Sequence, residues 1–160
     1  MSGMRVGFGY DSHRFVAGRP LVLGGVTIEH DRGLEGWSDA DAAAHALTDA
    51  ILGAAGLGDI GTMFPPDNPK WKDASSLDLL KRASIKAAEL GLSLVHADVT
   101  IIAEQPKLSP FVEAMRERLG EAAIAGYSNV SVKAKTNEGM GFIGRGEGIA
   151  VFAVALLEER

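Results

Sequence analysis

Asp11, His13 and His45 are the residues of this chain best suited to chemistry. Two imidazoles and a carboxylate can hold a zinc ion and leave its fourth position open to a substrate, the arrangement of catalytic zinc sites. Closed structural sites take four protein ligands, often thiolates, and the chain contains 0 cysteines. Asp11 and His13 are two apart on an extended segment, so they point to one side. His45 falls on a helical stretch with Asp41 and Asp49 four residues away on either side, and either carboxylate can orient the imidazole from behind. An aspartate two residues before a histidine is also common by chance. On spacing alone, a strand-end His13 and a core His45 are the plainer account.

The elements that must position these groups follow from periodicity and punctuation. Residues 5–10 predict a first strand ending at the Asp11/His13 pair. Residues 20–23 and 26–29 flank Gly24-Gly25, a two-residue hairpin signal. Ser38-Asp39-Ala40-Asp41 predicts a helix start, with Ser38 as cap and Asp41 reaching back as in a capping box. Ala43, Ala46, Leu47, Ala50, Ile51 and Ala54 then recur at helical spacing, and the helix fades at Gly56 or Gly58. Its alanine-rich face lets another backbone approach closely. Residues 59–73, with Pro65, Pro66 and Pro69, predict a loop long enough to suggest function.

Ser75 or Ser76 caps a second helix through Leu77, Leu80, Ala83, Ala87 and Leu90, ended by Gly91. Residues 95–103 are the clearest strand. Ser109-Pro110 opens a third helix carrying Phe111, Met115, Leu119 and Ala122, which stops near Gly126. Residues 129–136 and 149–157 are two final strands. The expected fold is α+β: a mixed four-stranded sheet with helices packed on one face, plus a small β-hairpin. No repeat or linker interrupts it, so residues 1–160 are expected to form a single catalytic domain.

Bulk properties narrow the function. The chain has 160 residues, 46% hydrophobic and 23% charged, as for an ordinary soluble domain. A net charge of -5 argues against nucleic acid as a partner. The lack of cysteine suits a reducing cytosol, the first residues lack the layout of a secretory signal, and no apolar run approaches the roughly 20 residues that span a bilayer. A cytoplasmic protein without membrane contact is expected.

Further candidates lie in the second half. Gly139 to Gly148 matches a dinucleotide-binding glycine pattern by letter, but that fingerprint requires a following helix. Here a strand follows, so the run predicts a tight connection or mobile loop around Phe142 and Arg145. Lys133, Lys135, Thr136 and Asn137 at a strand end suit a phosphate, and Glu138 can hold a Mg²⁺ that bridges phosphate oxygens. Gln105-Pro106-Lys107 precedes a helix N-terminus, where anions are favoured. Asp59-Ile60-Gly61 suits either substrate hydroxyls or turn chemistry. His30 and His96 are expected at the surface.

In this order the motifs resemble the 2-C-methyl-D-erythritol 2,4-cyclodiphosphate synthases of non-mevalonate isoprenoid synthesis, over essentially the whole chain. The carrying residues are Asp11-Ser12-His13, then Ser38 to Asp41 with His45 to Asp49, and Leu57 to Gly61. Ile102-Ala103, Pro106-Lys107, Glu138, Gly141-Phe142 and Gly144 to Gly148 complete the set. The resemblance implies a homotrimer with active sites between subunits. It implies zinc on Asp11, His13 and His45, and Mg²⁺ or Mn²⁺ on Glu138. The substrate would be a cytidylyl diphosphate. Asp11, His13, Trp37, Ser38, Asp59, Ile60, Gly61, Phe64 and Asp67 would contact its methylerythritol and phosphate parts. Ala103, Pro106, Lys107, Lys135, Thr136, Asn137 and Glu138 would surround the cytidine diphosphate, with Thr136 steadying the transition state. Phe142 and Arg145 match residues lining a central cavity that in this family can hold an isoprenoid diphosphate.

The implied reaction turns 4-diphosphocytidyl-2-C-methyl-D-erythritol 2-phosphate into the 2,4-cyclodiphosphate and CMP, a phosphorus–oxygen lyase reaction. Three positions depart from the family pattern. Trp37 stands where a substrate-contacting histidine with a catalytic part is common, and an indole donates one neutral hydrogen bond but carries no charge. Pro66 replaces a frequent aspartate, which leaves Asp67 as the nearest carboxylate. Lys135 replaces a frequent threonine.

Overall fold

The first strand, β1 (Met4–Ala17), reverses the usual polarity of a sheet packed under helices. Gly7 and Gly9 face the helical layer and are buried, while Val6, Phe8 and Tyr10 point outward and are exposed. The inward glycines exist because α1 (Ala42–Ala55) lies directly on the strand. A Cβ at Gly7 would sit 1.8 Å from the Ala50 carbonyl oxygen, and one at Gly9 1.8 Å from that of Ala46. The alanine-rich helix face does admit a second backbone, as its spacing predicts. The computed structural model describes residues 3–160.

The strand is longer than predicted, running through Asp11 and His13, because it pairs antiparallel with β7 (Gly148–Glu159) from Met4↔Glu158 to Arg14↔Gly148. Past that partner its last residues take up β4 (Arg32–Leu34), with Phe15 opposite Leu34. The sheet therefore has five strands, not four: with β5 at Leu92–Ile102 and β6 at Val130–Lys135, the order is β4-β1-β7-β5-β6. A three-residue strand centred on Gly33 has no periodicity to read; it forms because β1 overshoots β7 and leaves an edge to fill. β5 and β6 run parallel, so the sheet is mixed as expected. β2 (Leu21–Leu23) and β3 (Val26–Ile28) form the predicted hairpin about Gly24-Gly25.

Helices α1, α3 (Ser76–Glu89) and α4 (Val112–Ala122) pack against the sheet. They bury Leu47, Ile51, Leu80, Met115 and Leu119 against Val99, Ile101, Val130, Val151 and Leu157. Among the described residues, no helix is long and apolar enough to cross a membrane.

Several local expectations change. The N-cap of α1 is Asp41, not Ser38. Its carboxylate accepts from Ala44 N at 3.0 Å and also from Gly24 N at 2.8 Å and Gly25 N at 2.7 Å, which binds the hairpin to the helix start. Burial pushes this carboxyl above its ordinary pKa, against those three amide bonds. The predicted 59–73 loop holds a turn of helix, α2 (Ile60–Met63), and a 3-10 turn at Pro69–Trp71. The glycine run forms one turn, α5 (Gly141–Gly144), and leads straight into β7, so the dinucleotide reading is excluded as the sequence indicated. His30 is not a surface residue: it is mostly buried against Phe15, ring centroids 5.6 Å apart, beside Asp31 at 3.2 Å. His96 is exposed.

Candidate active site

Backbone contact between β1 and α1 brings the three predicted ligands together. Asp11, His13 and His45 each offer one donor atom, and these lie within 4.8 Å of one another. Asp11 Oδ2 is 2.7 Å from His13 Nε2 and 3.1 Å from His45 Nδ1, and the two nitrogens are 3.3 Å apart. Ligands at the ~2.1 Å of zinc bonds would stand roughly 3.4 Å apart at tetrahedral corners. The donor set therefore fits a zinc ion after movements of a few tenths of an ångström. His13 Nδ1 donates to the Glu35 carbonyl at 2.6 Å, which leaves Nε2 with its lone pair toward the site. For the Asp11 carboxyl, burial works upward on the pKa, but without an ion the imidazoles of His13 and His45 can carry protons on the facing nitrogens, and the resulting hydrogen bonds outweigh burial and hold the group below the ordinary range. For His13, burial works downward, and the Asp11 carboxylate overcomes it to raise the imidazole.

Beside the triad is a cavity of about 160 Å³ lined by His13, Trp37, Ser38, His45, Ile60, Gly61, Phe64, Pro66, Trp71 and Leu79. Its walls are mostly apolar side chains, suited to a carbon skeleton that carries its charge at the ends. Segment 60–73 forms the far wall and is fastened at several points. Asp49 Oδ1 accepts from Ile60 N at 2.7 Å, and Asp59 caps α2 by accepting from Thr62 N at 2.8 Å. Those Thr62 bonds hold the Asp59 carboxyl below its ordinary pKa. Trp37 donates its indole N–H to the Asn68 carbonyl at 3.2 Å, and its own carbonyl accepts from Asp73 N at 3.0 Å. The indole donor expected to face a substrate phosphate is thus directed to the loop. Asp67 is exposed and outside the cavity lining.

The nucleotide candidates gather elsewhere. Ala103, Pro106, Lys107, Lys135 and Thr136 share a second cavity, of about 310 Å³, between the ends of β5 and β6. Parallel pairing of these strands continues to Ala103 N donating to Lys135 O at 2.9 Å. Asn137 and Glu138 follow on a turn held by Glu104, whose carboxylate accepts from Asn137 N at 2.9 Å and Gly139 N at 2.7 Å. Glu138 is exposed. One free carboxylate suits Mg²⁺, which keeps several waters and takes its other ligands from substrate phosphates. Lys133 is committed to Asp98, 2.6 Å away, and does not join the cavity. Phe142 lines a third cavity with Ser12, His13 and Glu147, and Arg145 is paired with Glu147 at 2.8 Å.

Sequence reasoning missed Glu104, Asp39, Ser76 and the tie from Asp49 to Ile60. The carboxylate sought behind His45 is neither Asp41, which caps α1, nor Asp49, which holds α2; a pair of serines occupies that place. Asp39 and Ser76 stand at predicted helix starts, where each reads as a cap, and nothing in the sequence pairs them with each other or with His45.

A family model described as the YgbB family matches residues 4–158. The 2-C-methyl-D-erythritol 2,4-cyclodiphosphate synthase of Symbiobacterium thermophilum is 61% identical over 157 residues, covering 98% of this chain and 100% of that protein. That of Moorella thermoacetica is 55% identical, covering 98% and 96%. Among solved structures, the bifunctional IspDF of Campylobacter jejuni has a TM-score of 0.96 at 44% identity; it matches 100% of this chain, which spans 43% of that longer one. A CDP complex of IspF from Plasmodium falciparum has a TM-score of 0.86 at 32% identity, covering 100% and 99%.

Proposed function

The chain belongs to the YgbB family, and on that premise we propose that it converts 4-diphosphocytidyl-2-C-methyl-D-erythritol 2-phosphate into 2-C-methyl-D-erythritol 2,4-cyclodiphosphate and CMP. The observation that carries the reading is the convergence of Asp11, His13 and His45 beside a cavity. Relatives of 61% and 55% identity named for that reaction support it.

Asp11, His13 and His45 would hold zinc, and Glu138 would hold Mg²⁺ or Mn²⁺. Such ions, when bound, neutralise and polarise phosphate oxygens. The nucleophile is the substrate's own 2-phosphate, whose second ionisation near pKa ~6 leaves it charged at neutral pH. An oxygen of that group bonds to the β-phosphorus as the bond to the bridging oxygen breaks, and CMP departs with the α-phosphate. No protein nucleophile is consumed.

The chain's part is charge and position. Lys107 and Lys135 face the nucleotide cavity. Thr136 Oγ1 accepts from Glu138 N at 3.2 Å, which leaves its O–H to donate outward to a phosphate. Ile60, Gly61 and Phe64 wall the carbon skeleton. Holding both ends of one substrate so that its phosphates meet can supply roughly 7–11 kcal/mol.

The metal triad and the nucleotide cavity share no lining residue within one chain. A homotrimer, in which a neighbouring copy supplies the second half, accounts for this. It also accounts for the exposed apolar row of Met4, Val6, Phe8, Tyr10, Phe152 and Val154 on the helix-free sheet face. The cysteine-free, acidic composition suits work in the cytoplasm on a small molecule rather than nucleic acid.

The test is incubation of zinc-loaded protein with the cytidylyl substrate and Mg²⁺, followed by phosphorus NMR. The cyclic diphosphate and CMP are expected. A linear monophosphate product, or no CMP from folded, metal-loaded trimer, would overturn the proposal. Sedimentation measures the oligomer directly.

A further inference from the structure

We propose that Ser76 and Asp39 are positioning residues of the metal site, fixing His45 in the tautomer that presents Nδ1 to the ion. The proposal rests on the reading that Asp11, His13 and His45 hold a divalent cation, and it concerns the opposite edge of the His45 ring.

That edge faces away from the triad. His45 Nε2 lies 2.7 Å from Ser76 Oγ and 3.1 Å from Ser38 Oγ. Ser76 Oγ in turn hydrogen-bonds Asp39 Oδ1. A carboxylate can only accept and a hydroxyl has one proton to give, so the Ser76 hydroxyl donates to Asp39. Its oxygen must then accept from His45, which requires the imidazole proton on Nε2. A neutral imidazole protonated there has its lone pair on Nδ1, the atom that meets Asp11 and His13.

The chain of bonds is protected and anchored. Ser76, Ser38 and His45 are buried. Asp39 is held by two backbone amides besides the hydroxyl, Ser76 N at 3.1 Å and Asp41 N at 3.1 Å. The two imidazoles of the site are thus oriented by different means, His13 by the Glu35 carbonyl and His45 by a serine–aspartate pair. The pair joins the segment before α1 to the first residue of α3, so the start of α3 is coupled to the metal site. A purely structural role for Asp39, capping α3 where Ser75 makes no side-chain cap bond, predicts no effect on which histidine nitrogen binds.

The experiment compares zinc affinity by chelator competition in wild type, Ser76→Ala, Ser76→Thr and Asp39→Asn. It adds nitrogen NMR of histidine-labelled, zinc-loaded protein and a metal-free melt of each variant. Expected are zinc binding about 10–100-fold weaker in Ser76→Ala, recovery in Ser76→Thr, and a wild-type His45 that binds through Nδ1 with a slowly exchanging Nε2 proton. That proton should exchange faster in Ser76→Ala. Should Ser76→Ala fail to fold, Asp39→Asn carries the same comparison of affinity and proton exchange. Wild-type coordination through Nε2, or unchanged affinity in folded Ser76→Ala, overturns the proposal alone. A wild-type protein that binds no zinc overturns the metal reading with it.

Discussion

Gly9→Ala tests whether backbone contact between β1 and α1 sets the metal site. The added Cβ would lie 1.8 Å from the carbonyl oxygen of Ala46, the residue after His45, and the atom it meets is main chain. To reach even the ~3.3 Å of a close carbon–oxygen contact, strand and helix must part by about 1.5 Å. Asp11 and His13 stay with the strand while His45 leaves with the helix. Metal–ligand distances tolerate about 0.2 Å, so the site loses one of three protein donors, and zinc affinity should fall at least about 100-fold. Overpacking of this kind costs about 1–3 kcal/mol or more, which at this size lowers the melting temperature by roughly 2–12 °C. Gly53→Ala is the control: it lies on the same helix, and an added Cβ meets nothing within 4 Å. It should raise stability by about 1 kcal/mol and leave zinc binding unchanged. Chelator competition and melting of the metal-free protein measure both quantities. A Gly9→Ala protein with wild-type zinc affinity and melting temperature would refute the reasoning.

The raised pKa of His13 and lowered pKa of Asp11 fix the sign of two pH effects. In metal-free protein the His13 contribution is fully present below its unfolded pKa of about 6.5 and is lost as pH rises through the higher folded value; the Asp11 contribution is present above about 3.9 and is lost as pH falls through its lowered value. The melting-temperature advantage of wild type over His13→Asn should therefore shrink from pH 6 to pH 9, and an advantage that grows would contradict the assignment. Zinc occupancy runs the other way, because protons compete with the ion for Nε2, and chelator competition should show zinc affinity falling on acidification. Trp37→Phe keeps the ring but removes the bond to Asn68. A neutral bond of about 0.5–1.5 kcal/mol predicts KM raised roughly 2–10-fold with kcat little changed, and steady-state kinetics with an unchanged KM would exclude the loop-fastening role. Lys107→Ala should weaken CDP binding more than zinc binding in calorimetry; equal CDP affinity before and after would remove it from the nucleotide site.

What was legible in the sequence divides along a physical line. Asp11 and His13 could be paired because a strand has period two, and His45 could be placed because α1 announces itself by alanine spacing and ends at Gly56, φ 73°. The close approach of another backbone followed from that same alanine face. The identity of the approaching strand did not, since Gly7 and Gly9 look like poor strand residues until a helix is known to lie on them. The five-strand sheet was hidden for a related reason: β4 is stabilised by the edge it fills, not by its own residues. Rare chemical groups are readable because so few arrangements of them are useful, whereas an aspartate or serine that orients them resembles any other cap until its partner is known. Asp39 finds Ser76 across 37 positions, and Glu104 finds Asn137 across 33. Both meet backbone amides whose direction is decided only when helix and strand ends come together. The reactive atoms of this site are local signals, and the precision with which they are aimed is a property of the assembled fold.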